Sequence, residues 1–319
     1  MELSEPKSPL FDGLLSVVVP CKNELEMLSL FCTEFEKVVA EMGNPNYEII
    51  FVDDGSTDGT LAEIQKLAEA NNSIRYISFT RNFGKESAMY AGLSYAKGDY
   101  ITIMDADLQD PPSLLPEMFK SILEEGYDCV ATRRRTRDGE PPVRTFFAKK
   151  FYEILNKVSS LQFVEGARDY RLMTREVLNA VLSLCEYNRF TKGIYEWVGF
   201  KTKWIEYDNI ERKAGQTKWT LWQLAMYSLD ALTSFSSVPL AIVSLLGIAF
   251  CGLSALAIIV LSIRQLLFHN SAYGWTSMIC VILFLSGIQL FCVGILGQYI
   301  SKIYTETKRR PHYIIKSSR

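Results

Sequence analysis

The sequence predicts an α/β domain on a mostly parallel sheet, followed by an interfacial helix and a hairpin of two membrane-spanning helices. Three observations carry this. From Leu14 onward, short apolar runs alternate with helical patterns, as strand-helix-strand units do. Polar clusters fall where the apolar runs end, the place where such sheets bind ligands. The 64 residues from Val238 to Ser301 hold one basic residue, Arg264, and no acid.

The elements follow in order. Leu14 to Val19 reads as a buried strand. Glu24 to Met42 reads as a helix, because Met27, Phe31, Phe35 and Val38 recur at three- to four-residue spacing on one face. Tyr47 to Val52 is a strand that ends in Asp53 and Asp54, Thr60 to Ala70 a helix, and Ile74 to Phe79 a strand. Lys85 to Ala96 is a helix, Tyr100 to Met104 a strand that ends in Asp105, and Asp128 to Ala131 a short strand. The polar clusters at the strand ends are Pro20 to Glu24, Asp53 to Asp58, Arg81 to Lys85 and Asp105 to Asp110.

Further along, Trp219, Trp222, Met226 and Leu229 have helical spacing beside polar Gln223 and Ser228, which suits a helix lying on a bilayer or one packed on the domain. Val238 to Ile263 and Trp275 to Ile300 each supply 26 uncharged positions, against the roughly 20 that a bilayer core requires. Gly247, Gly252, Gly287, Gly294 and Gly297 suit close helix contact in lipid. Basic residues flank the outer ends, at Arg212, Lys213 and Lys218 and again from Lys302 to Arg319, while the loop from Arg264 to Gly274 has only Arg264. Both termini are therefore expected in the cytosol. The expected units are residues 1–212 as the cytosolic domain, 213–237 as the interfacial segment, 238–301 as the hairpin and 302–319 as a basic tail.

Charge sharpens this division. The chain has 319 residues and a net charge of −2, but Met1 to Ser237 carries −8 and the tail from Lys302 carries +5. An acidic domain is a poor partner for nucleic acid. With 48% hydrophobic and 22% charged residues, the chain is neither disordered nor collagen-like. Met1 to Gly13 has no basic segment leading into an apolar run, so no secretory leader is expected. The seven cysteines include no C-x-x-C pair and read as reduced packing residues.

Asp53-Asp54-Gly55-Ser56-Thr57-Asp58-Gly59 leaves a strand and opens a helix. Capping and turn formation explain Ser56 and Gly55, whereas two adjacent carboxylates at a strand end can also accept from a nucleoside. In Asp105-Ala106-Asp107, alternate residues point to one side when extended, so both carboxylates can approach one divalent cation. Asn82-Phe83-Gly84-Lys85 precedes a helix, where backbone N–H groups and a lysine can hold phosphate, but it lacks Walker A spacing. Arg133, Arg134, Arg135 and Arg137 form a basic run that is either a solvated loop or a phosphate site.

Taken in order, Val18-Val19-Pro20-Cys21-Lys22-Asn23-Glu24, Asp53 to Thr60, Arg81 to Lys85, Asp105 to Pro112, Asp169-Tyr170-Arg171-Leu172 and Arg212-Lys213-Ala214-Gly215-Gln216-Thr217-Lys218 resemble family 2 glycosyltransferases. They are most similar to the polyprenyl-phosphate branch, which includes bactoprenol glucosyltransferase and dolichyl-phosphate mannose synthase. The resemblance implies a GT-A fold and an inverting transfer of one sugar from a nucleotide sugar, UDP-glucose first, to a polyprenyl phosphate such as undecaprenyl phosphate. GDP-mannose, UDP-N-acetylglucosamine and modified pentoses are the other donors to consider. It implies Mg²⁺ or Mn²⁺, a bacterial plasma-membrane location, a product used in cell-envelope glycan modification, and a homo-oligomer, by analogy a tetramer.

Position by position, the resemblance places Pro20, Lys22, Glu24, Val52, Asp54, Ala106 and Arg134 on the nucleotide sugar, and the residue pattern adds Asp53 and Lys85. Asp105 and Asp107 fall on the metal, and Asp105, Asp107, Asp169, Arg212 and Lys218 on the catalytic machinery. Asp169 is a base, an orienting group or a structural one. The sequence departs from the family at Lys22, usually aromatic, and at Thr217, usually Ser. The Q-x-x-R-W signature of processive synthases is missing. The competing readings are a catalytically silent nucleotide-sugar-binding membrane subunit and a membrane scaffold.

Overall fold

The computed structural model describes residues 9–135, 153, 156–157, 162–208, 238–268 and 274–319. The first half is β1 (Leu14–Cys21), α1 (Leu25–Glu41), β2 (Asn46–Asp53), α2 (Thr60–Ala70), β3 (Ile74–Phe79), α3 (Lys85–Tyr95), β4 (Tyr100–Ile103), α4 (Leu115–Leu123) and β5 (Cys129–Arg134). Then come β6 (Ala167–Thr174), α5 (Arg175–Ser183), α6 (Thr191–Trp197), β7 (Thr202–Tyr207), α7 (Val238–Phe268), α8 (Trp275–Thr307) and β8 (Ile315–Ser318).

The eight strands form one sheet in the order β7-β5-β6-β4-β1-β2-β3-β8. Its centre, β4-β1-β2-β3, is parallel, as right-handed strand-helix-strand connections require. β6 runs antiparallel to both β4 and β5, and β8 antiparallel to β3, so the Rossmann-like sheet is mixed rather than nearly all parallel.

The central strands are apolar on both faces because helices cover both. Leu15, Val17 and Val19 of β1 pack with α1, α2 and α4, while Val18 packs with α3, α5 and α6. Gly92 lets α3 lie close on the sheet, since a Cβ there would come within 2.2 Å of the Val18 side chain.

α7 and α8 are 31 and 33 residues long, about 45–50 Å at 1.5 Å per residue. They meet where Phe250 and Phe284 lie 6.1 Å apart. Large apolar side chains such as Leu245, Ile248, Leu290 and Phe291 are exposed on them. Among the described residues, Phe284–Thr307 is long and apolar enough to cross a membrane, and Leu240–Phe250 is a shorter apolar stretch. The expected interfacial helix around Trp219 lies outside the described residues.

The chain beyond α8 returns to the domain. Tyr313 stacks on Phe79 at 4.9 Å, and β8 pairs with the edge of β3. Glu306 accepts hydrogen bonds from the Tyr187 and Asn188 backbone N–H groups at 2.8 and 3.2 Å. The segment that reads as a basic tail thus completes the sheet. Its four strand residues, IKSS, carry too little apolar pattern to announce a strand.

Candidate active site at the carboxyl ends of the central strands

The turn after β1 and the loop after β2 are built against each other. Parallel register sets Pro20 opposite Val52 and Cys21 opposite Asp53. The Asn23 side-chain oxygen accepts from the Thr57 N–H at 2.9 Å, and the Asn23 N–H donates to Ser56 Oγ at 3.0 Å. The Glu24 N–H donates to Thr60 Oγ1 at 3.0 Å. Lys22 is exposed beside this turn.

Asp53 is buried, and both its oxygens are engaged, by the Ser56 N–H at 3.0 Å and Ser78 Oγ at 2.8 Å. Asp54 is buried too and accepts from the Phe83 and Gly84 N–H groups at 2.6 and 3.0 Å. Burial pushes the Asp54 carboxyl up, and those two N–H groups oppose the shift. Both aspartates therefore shape the loops: Asp53 folds its own turn, and Asp54 fixes the start of α3. Gly55 is required directly after them, with φ +66° and room for no Cβ, which would sit 2.6 Å from the Arg81 carbonyl carbon.

That fixed start aims Lys85 across the sheet end. Its ammonium lies 2.7 and 2.9 Å from the two Asp105 oxygens and 2.7 Å from Asp169 Oδ2. The β4–β6 register accounts for the meeting: Ile103 pairs with Arg171, so the chains leaving that pair bring Asp105 alongside Asp169. The two carboxylates hold the Lys85 proton more tightly than usual, against the partial loss of water around its ammonium. Burial opposes charge on Asp169, but Lys85 and Lys192 outweigh it and hold its carboxyl well below the usual range.

On the other face of β6, Arg168 pairs with Asp110 at 3.0 Å and stands 3.7 Å from Asp105. The Tyr207 hydroxyl donates to Asp110. Arg134 donates to Gln109 Oε1 at 3.1 Å, and the Gln109 N–H donates to Asp107 Oδ1 at 3.1 Å. Asp107 and Ala106 are buried in this turn.

The structure thus gathers Lys85, Asp105 and Asp169 at one point, with Asp107 and Arg134 linked through Gln109, and Pro20, Lys22, Glu24, Val52, Asp53 and Asp54 on the adjoining loops. Arg212, Lys218 and Arg137 lie outside the described residues. Sequence reasoning missed Arg168, Tyr207, Glu86 and Lys192. Arg168 adjoins the Asp169 motif and was signalled by it; the other three carry no local pattern.

Asp105 and Asp107 offer hard oxygen donors suited to Mg²⁺ or Mn²⁺. Among the described residues no group of three or more His, Cys, Asp or Glu is gathered to hold a metal. A sparse protein set of this kind fits a cation whose shell is completed by substrate phosphates and water. Cys21, Cys32, Cys129, Cys185 and Cys292 are free thiols.

The family model described as Glycosyl transferase family 2 matches residues 16–182. The chain is similar to the Putative glycosyltransferase CsbB of Bacillus subtilis (strain 168), 41% identical over 96% of this chain and 92% of that one. It is similar to the Bactoprenol glucosyl transferase of Shigella phage SfX, 40% identical over 95% and 99%. The Prophage bactoprenol glucosyl transferase homolog of Escherichia coli (strain K12) is 40% identical over 95% and 98%.

Proposed function

The chain belongs to glycosyl transferase family 2 and is a glycosyltransferase, and from that premise we propose that it moves one sugar from a nucleotide sugar to a polyprenyl phosphate. The proposed donor is UDP-glucose, the transfer inverts the anomeric centre, and it takes place at the cytosolic face of a bacterial plasma membrane. The hairpin of α7 and α8 would anchor the domain there. What carries the reading is the Lys85 ammonium between Asp105 and Asp169, which joins the D-x-D turn and the D-Y-R motif in one site. Similarity along nearly the whole chain to relatives named for glucosyl transfer to bactoprenol supports the acceptor.

In this reading the β1 and β2 loops hold the nucleoside between Pro20, Lys22, Glu24 and Val52, while Asp53 and Asp54 keep those loops in shape. Asp105 and Asp107 would hold the Mg²⁺ or Mn²⁺, which supplies positive charge where the diphosphate departs. Lys85, Arg134 and Arg168 add fixed positive charge around that point. Lys85 is 44% exposed and able to turn from the carboxylates to an incoming diphosphate.

The acceptor phosphate, with a second pKa of about 6, is largely a dianion at neutral pH and needs no strong base. Lys85 and Lys192 hold the Asp169 carboxyl below the usual range, against burial, and so keep it ionised. Its proposed role is to orient Lys85 and the acceptor. Arg212 and Lys218 are proposed to meet the phosphates beside the membrane.

The test is lipid-soluble label formed from a panel of radiolabelled nucleotide sugars and short-chain polyprenyl phosphate, with and without Mg²⁺ or Mn²⁺, for the wild type and Asp107→Asn. Metal-dependent label that disappears in the variant supports the reading and names the sugar. Donor binding without transfer across the panel points instead to the silent subunit.

A further inference from the structure

We infer that Lys85 and the divalent cation exchange places on Asp105: the ammonium holds the D-x-D turn until the donor's diphosphate draws it away, so the cation gains its site together with the donor. The inference rests on the donor and metal proposed above, and it adds the rule that couples their binding.

Two cations already share Asp105, and they reach it from opposite faces of β6. Lys85 Nζ lies 2.7 Å from Oδ1 and 2.9 Å from Oδ2, and an Arg168 amino nitrogen stands 3.7 Å from Oδ2. A carboxylate has lone pairs for several partners, but a dication on these oxygens would stand within a few ångströms of both positive charges. At that range like charges repel strongly. Asp107 offers little relief, since it is buried and its Oδ1 accepts from the Gln109 N–H at 3.1 Å. The cation therefore binds well only when one of the two charges on Asp105 withdraws.

Arg168 is the fixed charge. Its Nε donates to Asp110 Oδ1 at 3.0 Å and its second amino group to Oδ2 at 3.4 Å, a fork that ties the guanidinium to a carboxylate 1% exposed. Lys85 is the movable one. Its side chain is 44% exposed, against 20% and 19% for Asp105 and Asp169, so the ammonium lies on the open side of the pair. Its backbone is pinned, because Asp54 holds the Phe83 and Gly84 N–H groups, while its flexible stem can swing without moving α3.

Withdrawal leaves neither carboxylate bare. Asp169 keeps the positive charge of Lys192 beside it, and Asp105 keeps Arg168 and gains the cation. A diphosphate gives the ammonium new charge-assisted hydrogen bonds in place of those it leaves. Alone, the cation meets the Lys85 charge and the diphosphate meets two carboxylates, so each binds weakly. Together they relieve both repulsions, and each tightens the other by the same factor.

The test titrates Mn²⁺, UDP and GDP into the full-length protein in detergent. Bound Mn²⁺ is read from the loss of its free electron paramagnetic resonance signal, and bound nucleotide by calorimetry. Lys85→Gln and Lys85→Met should each bind Mn²⁺ alone roughly tenfold more tightly than the wild type, because a like charge has left the site. With Mn²⁺ present they should bind the nucleoside diphosphate roughly tenfold more weakly, having lost one charge-assisted contact. Lys192→Met should change Mn²⁺ affinity by no more than about twofold, since its ammonium is held by the Ala167 carbonyl at 2.7 Å and acts on Asp169. The Gln side chain still donates to the carboxylates, so that variant decides the matter if the Met variant does not fold.

Unchanged or weaker Mn²⁺ binding in folded Lys85→Gln protein overturns the exchange. An equal gain in Lys192→Met overturns it too, because the effect would then be one of general charge. Tighter Mn²⁺ with unchanged nucleotide affinity overturns the transfer of Lys85 to the diphosphate. A wild-type protein that binds neither UDP nor GDP refutes the proposed donor instead, while the Mn²⁺ titration still decides the competition for Asp105.

Discussion

Glu86 lies one residue beyond Lys85, in the first turn of α3, and its replacement by Gln should change how stability depends on pH. Its Oε2 accepts from the Thr191 hydroxyl and from the Thr191 N–H at 3.2 Å. Burial pushes the carboxyl up to about 6 from 4.5, with the Thr191 hydrogen bond opposing and the Asp169 charge adding to the rise. A carboxyl raised on folding favours the folded state when protonated. Its contribution is complete below about pH 4.5 and is lost as pH rises through about 6. At 1.36 kcal/mol per unit, the loss between pH 4.5 and 7.5 is about 2 kcal/mol. In Glu86→Gln the side chain stays neutral and its amide oxygen still accepts from Thr191, so that loss should vanish. Urea unfolding in detergent at pH 4.5, 6.0 and 7.5, followed by circular dichroism, measures the difference. Near-parity at pH 4.5 and a variant about 2 kcal/mol more stable at pH 7.5 are expected. Parallel pH profiles for the two proteins would refute the argument, because they would mean that Glu86 titrates as an ordinary exposed carboxylate.

Three more substitutions probe neighbouring parts. Lys85→Met removes the cation that keeps Asp169 ionised, so turnover should fall roughly 100-fold, and the acid limb of the pH-rate profile, set in the wild type by the acceptor phosphate, should gain a second ionisation. Gly55→Ala forces a Cβ against the Arg81 backbone at φ +66° and should destabilise by about 2 kcal/mol or more, visible as a lower urea midpoint. Tyr313→Ala removes the ring stacked on Phe79 and should destabilise by about 2 kcal/mol, with faster amide exchange in β3 and β8 than in β1.

The first five strands and first three helices were legible because their signal is local. Each strand is a short apolar run, each helix has one apolar face, and each polar cluster falls where a parallel sheet puts its ligands. β6, β7 and β8 were not, because their pairing joins distant segments: β4 with β6 and β3 with β8. The site divides in the same way. The D-x-D spacing announces Asp105 and Asp107 within three residues. Arg168 and Tyr207, in contrast, reach Asp110 across 58 and 97 residues of chain, and no sequence window contains those contacts. Glu86 and Lys192 read as ordinary helical surface residues until α3 and α6 pack together over β6.

β6 also explains how one strand serves both sides of the reaction centre. Successive residues of a strand face opposite sides of the sheet, so Arg168 joins Asp110 and Tyr207 on one face while Asp169 and Arg171 join Lys85 and Lys192 on the other. Both faces converge on Asp105, because antiparallel pairing with β4 ends at Ile103, two residues before it. A register slip of one residue would exchange the faces, sending Arg168 toward Lys85 and burying Asp169 beside Asp110. Tyr170 and Leu172 in one core cluster and Met173 in the other oppose that slip, since it would drive each into the wrong layer. The apolar residues of β6 thereby fix which face its charged residues meet, and core packing sets the geometry of the site.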